Sequence, residues 1–155
     1  PGGGEGGEGG IDTSEPFDTG APPAGGGYDG TYCGTWTVVV TETSSGSSDT
    51  CTGDVELYHN GSFVDVLSPV ECEWDSGSLG YHPPELVLTG EFDNFTETMS
   101  GTSIGGFEKG TEWEGTNDGT TALGSISGDI MDTAGAATGE ATFELSKLTS
   151  GFACP

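Results

Sequence analysis

The sequence predicts an all-β protein, a single antiparallel up-and-down β-barrel or sandwich of about eight strands, preceded by a glycine-rich extension. Three observations support this fold class. Valine, isoleucine and aromatic residues recur in short runs with the two-residue alternation of half-buried strands, and no helical periodicity is present. Turn sequences such as Asn60-Gly61 separate these runs, and Asn-Gly is a strong hairpin signal. Four cysteines are available to join strands of a chain that is only 31% hydrophobic.

The first strand is predicted over residues 31–43, where Tyr, Gly, Trp and Val residues alternate onto one face. Residues 51–59 form the second strand, and the Asn60-Gly61 turn leads into a third strand over 62–68. The following segment, 69–84, is predicted to be a loop because it is rich in proline, glycine and acidic residues.

The second half of the domain contains five more predicted strands. Residues 85–92 and 95–101 form a hairpin around Asp-Asn, and 107–115 and 120–131 are separated by an Asn-Asp-Gly turn. The last strand, 137–148, alternates small or apolar residues with threonine and glutamate. This pattern indicates one buried face and one acidic face in water.

Eight sequential antiparallel strands can close into a barrel, which removes exposed sheet edges. A barrel of this size has an interior that is filled by side chains or holds one small ligand. Large apolar residues available for that interior are Trp36, Phe63, Trp74, Trp113 and Phe143.

Residues 1–27 differ in composition from residues 28–155, which form the predicted β domain. Glycine, proline and acidic residues dominate the first segment, and its only sizeable apolar side chains are Ile11 and Phe17. Such a composition is typical of a flexible tether. The alternative is an assembly arm that adds as a strand to a neighbouring copy, with Ile11 and Phe17 as its anchors.

The net charge of −24, from 26 carboxylates against two lysines, excludes several functions. Nucleic-acid binding depends on lysine and arginine replacing counterions at phosphates, so no nucleic-acid partner is expected. Anionic membrane surfaces repel such a chain as well. No apolar run reaches the length of a transmembrane segment. The charge favours surroundings with abundant salt or divalent cations, at the cell surface or outside the cell.

The four cysteines are predicted to form two disulfides, which again indicates an oxidising compartment. No two of them have the close spacing of a zinc site. The Asn60-Gly61 turn places Cys51 opposite position 70, two residues from Cys72, so we expect a Cys51–Cys72 bond. The remaining pair, Cys33–Cys154, would then join the first and last strands across the seam of the barrel.

The motif Gly34-Thr35-Trp36, in the first of eight short antiparallel strands, resembles that of the calycin-type barrels, the lipocalins and avidins. The resemblance implies that Trp36 closes one barrel end and that a basic side chain from the last strand lies across it. Lys147 is the candidate for that role. The alternative interpretation is that Trp36 is an ordinary core residue.

No catalytic constellation is recognisable, so we expect a protein that is not an enzyme. His59 and His82 lie beside turns without a partner at a recognisable spacing, which predicts turn or surface roles. Calcium is the one cofactor that the sequence suggests, bound weakly by Glu71, Glu73 and Asp75 or by Asp118.

Two functional hypotheses follow. The first is a self-assembling extracellular structural protein, a homo-oligomer or polymer built through residues 1–27. The second is a surface-anchored, lipoprotein-like β-barrel binding module for a small ligand or a partner protein, with a lipid anchor upstream of Pro1. Asn60 and Asn94 match the N-glycosylation acceptor pattern at predicted hairpin tips.

Overall fold

The computed structural model describes residues 27–69, 71–80, 85–150 and 153–155, and every regular element in that part of the chain is a β-strand. In chain order the strands are β1 (Gly30–Glu42), β2 (Ser48–Asn60), β3 (Phe63–Leu67), β4 (Glu73–Trp74), β5 (Val87–Asp93), β6 (Thr98–Gly105), β7 (Glu112–Asn117), β8 (Thr121–Asp129) and β9 (Ala137–Lys147). Across the described residues, no helix has the length and apolar character needed to cross a bilayer.

Eight strands form a closed antiparallel barrel, which confirms the predicted fold class. Their order around the barrel is β1-β9-β8-β7-β6-β5-β3-β2, and β2 pairs with β1 to close the ring. The short β4 is an extra strand within the predicted loop 69–84. It pairs with β2 at Cys51 and Thr52, beyond the part of β2 that β3 covers. The molecule is therefore a barrel and not a sandwich.

The alternation along β9 sorts its residues as the sequence predicts, because buried and exposed positions follow one another from Ala137 to Ser146. The interior is filled by side chains from all around the barrel. Glycine on one strand makes room for an aromatic ring on the next: a Cβ atom at Gly124 would lie 2.1 Å from the ring of Phe143, its cross-strand partner. Six of the buried core residues in the described part of the chain are aromatic, and such rings bury more area each than aliphatic side chains do.

Gly34 of β1 pairs with Leu145 of β9. A Cβ atom there would lie 1.9 Å from the carbonyl oxygen of Glu144, so no larger residue fits without moving backbone. Trp36, two residues further on the same face, is buried and pairs across the seam with Phe143. The first position of the Gly34-Thr35-Trp36 motif is thus explained by the spacing of two strands.

The structure contains two disulfides, Cys33–Cys154 and Cys51–Cys72, with Cα–Cα distances of 5.7 and 5.5 Å. These are the two predicted pairs. The first joins β1 to the segment that follows β9, and β1 and β9 are hydrogen-bonded neighbours. It therefore fastens the seam of the barrel.

The register of the β2–β3 hairpin differs from the predicted one by two residues. Asn60 pairs directly with Phe63, so the two-residue turn is Gly61-Ser62 and not Asn60-Gly61. Gly61 has a φ of +65°, a left-handed conformation that favours glycine. Cys51 pairs with Trp74 of β4, two residues beyond its disulfide partner.

Two predicted strands begin three or more residues later in the structure than in the sequence interpretation. The predicted strand 95–101 begins at Thr98 because Asp93 accepts a hydrogen bond from the Phe95 amide and Glu97 has a φ of +59°. The predicted strand 107–115 begins at Glu112, since Thr111 hydrogen-bonds back to the Glu108 carbonyl in a turn. In both places a local hydrogen-bonded turn replaces the first residues of the strand.

Candidate functional site

The two ends of the barrel and its outer surface are the places where function can reside, because the barrel's own side chains occupy the interior. Among the bulkiest are Trp36, Trp113, Phe107 and Phe143, each at most 3% exposed. Trp113 donates its indole N–H to the Thr89 carbonyl at 3.0 Å, so its polar edge is satisfied inside the protein. A small-ligand site lined by these rings is therefore not what the packing provides.

A buried histidine closes one end of the barrel. His59 is 3% exposed, and its Nε2 lies 2.8 Å from the carbonyl oxygen of Gly61, which can only accept. Its Nδ1 lies 2.9 Å from the amide nitrogen of Asn117, whose own oxygen accepts the Gly119 N–H. This pattern fixes a neutral imidazole with the proton on Nε2. Of the two roles expected for His59, the surface role is wrong, whereas the hydrogen bond to Gly61 does tie the histidine to the β2–β3 turn.

Tyr28 covers this histidine from the segment that precedes β1. Its ring centroid lies 4.6 Å from that of Phe92 and 6.1 Å from that of His59, and its hydroxyl donates to Glu97 at 2.8 Å. The Tyr32 hydroxyl donates to the Tyr28 carbonyl at 2.6 Å. The cluster joins the chain entry, β2 and the β5–β6 turn into one plug.

The electrostatics of this plug follow from its burial. Desolvation lowers the pKa of His59, although the hydrogen bond to Gly61 and the charge of Asp29 oppose that shift. Burial is also the main reason that the pKa of Tyr32 is raised to about 12. Both ring nitrogens of His59 hydrogen-bond to protein atoms, which holds the ring in place within the cluster.

The calycin resemblance implies that Lys147 lies across Trp36, and the structure shows that it does not. It pairs with Tyr32 at the end of β9, and its Nζ donates to the Gly27 carbonyl at 3.0 Å. Trp36 instead donates its indole N–H to the Ser68 hydroxyl at 3.2 Å. The lysine thus fastens the chain entry at the end that His59 closes.

Asp49 holds a loop at the opposite barrel end. This side chain is 6% exposed and accepts N–H donors from Thr50, Ser76 and Gly77 at 2.9, 3.2 and 2.7 Å. Burial alone would raise its pKa, but the hydrogen bonds, above all that from Gly77, lower it overall. Asp49 and the Cys51–Cys72 bond therefore fix the segment that carries β4.

The residues proposed for calcium are not brought together. Glu71, Glu73 and Asp75 are exposed in the segment that includes β4. Asp118 lies in the β7–β8 turn, where it accepts the amide N–H groups of Thr120 and of the next residue, and these bonds lower its pKa. In the described residues, no group of three or more His, Cys, Asp or Glu side chains could hold a metal ion.

The outer face of β6–β9 carries an open, polar groove with a volume of about 740 Å³. We call it the glutamate groove. Its outward side chains are hydroxyls and carboxylates: Ser100, Thr102, Glu112, Glu114, Ser125, Ser127, Glu140 and Thr142. Exposed aromatic rings are absent from this set, so the groove offers charge and hydrogen bonds but no flat apolar surface.

The outer face of β2, β3 and β5 has a different character, and we call it the Phe63 face. It comprises Glu56, Tyr58, Phe63, Asp65 and Glu91. Phe63 is 67% exposed and Tyr58 40% exposed. Glu91 pairs with Phe63 across the β3–β5 ladder, and Asp65 pairs with Tyr58 across the β2–β3 ladder. The Tyr58 hydroxyl donates to the Glu56 carboxylate, which raises the tyrosine's pKa.

Sequence reasoning missed both the plug and the Phe63 face. Phe63 was assigned to the interior, yet the alternation of Phe63, Asp65 and Leu67 against buried Val64 and Val66 carries the signal. In the plug, His59 follows buried Val55 and Leu57 at two-residue spacing, which is a local signal for its burial, whereas no local pattern identifies its partners. Ile11, Phe17 and His82 lie outside the described residues. The glycosylation candidates Asn60 and Asn94 are both exposed.

No protein-family model matches this chain, and no curated protein is a significant match. Among solved structures, a crystal structure of a mutant of Transferrin Binding Protein B from Haemophilus parasuis, described as a vaccine antigen, matches with a TM-score of 0.51 and 11% sequence identity. The match covers 80% of this chain and 27% of that chain. At this identity the likeness concerns the fold alone. The chain is an eight-stranded antiparallel barrel structurally similar to part of that protein.

Proposed function

We propose that this chain is a non-catalytic binding module, displayed at the cell surface, that recognises a partner protein through the outside of its barrel. The observation that carries the proposal is the contrast between a filled interior and an outer face with exposed aromatic rings. Exposed aromatic residues are enriched at recognition surfaces, whereas a packed interior leaves no room for a small ligand.

The structural neighbour supports this proposal. Transferrin Binding Protein B is, by its name, a protein that binds another protein, and it is described as a vaccine antigen. The description as a vaccine antigen agrees with a protein that antibodies can reach, as display at the surface would allow. Two disulfides also favour a location outside the reducing cytosol. On this proposal, residues 1–27 are the tether.

We also propose, more specifically, that the barrel is related to the calycin-type barrels. The barrel order and the Gly34-Thr35-Trp36 motif agree with it, whereas the contact of Lys147 with Gly27 departs from the expected arrangement. We expect the function to depend on the outer surface in either case.

Self-assembly through residues 1–27 is the competing hypothesis. The full chain should elute as a monomer in size-exclusion chromatography with light scattering, and a chain lacking residues 1–27 should elute as a folded monomer as well. Void-volume material or filaments that disappear on this deletion would instead support assembly.

Surface display has a separate test. Protease treatment of intact cells of the source should remove the protein, while a cytosolic control protein stays intact. Protection equal to that of the cytosolic control would contradict the proposal.

A further inference from the structure

The Phe63 face combines aromatic rings and carboxylates within one small area. Directly opposed residues on antiparallel strands have Cβ atoms about 4.5–5.5 Å apart, and diagonal neighbours lie within about 7–8 Å. Phe63 faces Glu91 directly and has Asp65 two residues along its own strand. Tyr58 faces Asp65 and lies diagonally from Phe63. Each ring therefore has a carboxylate at its edge.

This face carries negative charge without a compensating cation. The chain's two basic side chains are elsewhere, Lys109 in the β6–β7 connection and Lys147 at the end of β9. A guanidinium group suits these surroundings, since it stacks on an aromatic face and binds a carboxylate through paired hydrogen bonds. Lysine offers a point charge and lacks that planar match.

We propose that the Phe63 face is the docking surface for an arginine-bearing patch on a partner protein. An arginine of the partner stacks on Phe63 between the carboxylates of Asp65 and Glu91, and Tyr58 and Glu56 extend the same surface. Charge complementarity selects a basic partner. The pairing of two exposed rings with carboxylates on adjacent strands, Phe63 with Glu91 and Tyr58 with Asp65, locates the contact on this face. The proposal rests on the proposed binding function and names the partner's chemistry.

The test is an NMR titration of the full, disulfide-bonded chain with a short peptide containing two arginines, at about 150 mM NaCl, where long-range charge effects are screened. The largest amide shifts should fall on residues 56–58, 63–65 and 89–91. The same peptide with lysine in place of arginine should bind more weakly. Shifts spread evenly over the outer face, including the glutamate groove, would overturn the proposal.

Matched variants separate this face from bulk charge. Phe63→Ala should weaken arginine-peptide binding about three- to five-fold, the loss expected for one exposed cation–π contact. Leu123→Ala, at a 45% exposed position on β8, should leave it unchanged. The double change D65N/E91Q should weaken binding more than E112Q/E140Q, although both remove two charges. Equal losses in the two pairs would refute the proposal.

The proposed function and this inference fail separately. If the protein is monomeric and surface-exposed but its Phe63→Ala variant binds the peptide normally, the proposed binding function stands and this docking surface is refuted. A chain that polymerises through residues 1–27 loses the proposed function, whichever face the peptide contacts.

Discussion

Gly34 leaves no room for a side chain beside the backbone of β9. Replacing Gly34 with alanine places a Cβ atom against the Glu144 carbonyl, so the strands must separate or distort. We expect Gly34→Ala to lower the free energy of unfolding by about 1–3 kcal/mol, the range found for overpacked positions. Urea denaturation followed by tryptophan fluorescence measures this change.

Gly27→Ala is the matched control, because a Cβ atom there meets nothing within 4 Å. Its midpoint should equal that of the original chain. A Gly34→Ala midpoint that coincides with the control would mean that the two strands are further apart than described.

His59 should make stability depend on pH near neutrality. Its pKa is lowered in the folded state, whereas in the unfolded chain it has its ordinary value of about 6.5. The unfolded state therefore takes up the proton first. The stabilisation from neutral His59 is fully present above about pH 6.5. The free energy of unfolding falls as the pH drops below that value, by at most about 1.4 kcal/mol per pH unit.

Urea midpoints between pH 7.5 and 5.5 measure this effect. His59→Gln should give a flatter profile in that range, while His82→Gln should retain the original slope. The idea fails if the His59→Gln profile keeps the full slope.

Individual residues divide into those with a local signal and those without one. The burial of Trp36 and Phe143 was predictable, because alternation within one strand decides which face a residue occupies. The inward face of His59 follows from the same alternation, since it comes after Val55 and Leu57. Its partners were not predictable, because Tyr28, Phe92 and Asn117 come from distant segments that only barrel closure brings together.

At the level of elements, Asp49 links the start of β2 to the segment that carries β4. Replacing Asp49 with alanine removes the acceptor for the Ser76 and Gly77 amides, whose hydrogen exchange should then accelerate by about tenfold or more. Asp54→Ala, an exposed change on the same strand, should leave these amides protected. Equal protection in both variants would show that the disulfide alone fixes the loop.

The strands themselves were largely predictable, and their ends were not. The eight long runs are recognised by alternation, whereas β4 has two residues and exists because Cys51–Cys72 and Asp49 hold it against β2. The start of β6 depends on a turn in which Glu97 has a left-handed conformation. Glutamate rarely adopts this conformation, so the residue type does not predict it. Tertiary contacts decide such boundaries.

For the whole molecule, the net charge of −24 should make folding depend on ionic strength. Screening weakens the repulsion among carboxylates on the outer face, so the melting temperature should rise between about 20 and 500 mM NaCl. Differential scanning fluorimetry measures this rise. A melting temperature that is constant over this range would mean that the carboxylates are too far apart to interact.

Calcium binding by Glu71, Glu73, Asp75 or Asp118 remains a prediction that the same experiment tests. A specific site requires a higher melting temperature in millimolar CaCl₂ than in MgCl₂ at equal ionic strength. Equal melting temperatures in the two salts would mean that calcium acts only by general screening and has no specific site.

The Cys33–Cys154 bond has a mechanical consequence. It spans a sequence separation of 121 residues, so a force that pulls the chain from both sides passes through the sulfur atoms and bypasses the strands. Under tension only the residues outside this covalent loop can lengthen. The part of the barrel within this loop would therefore keep its length and carry load without unfolding.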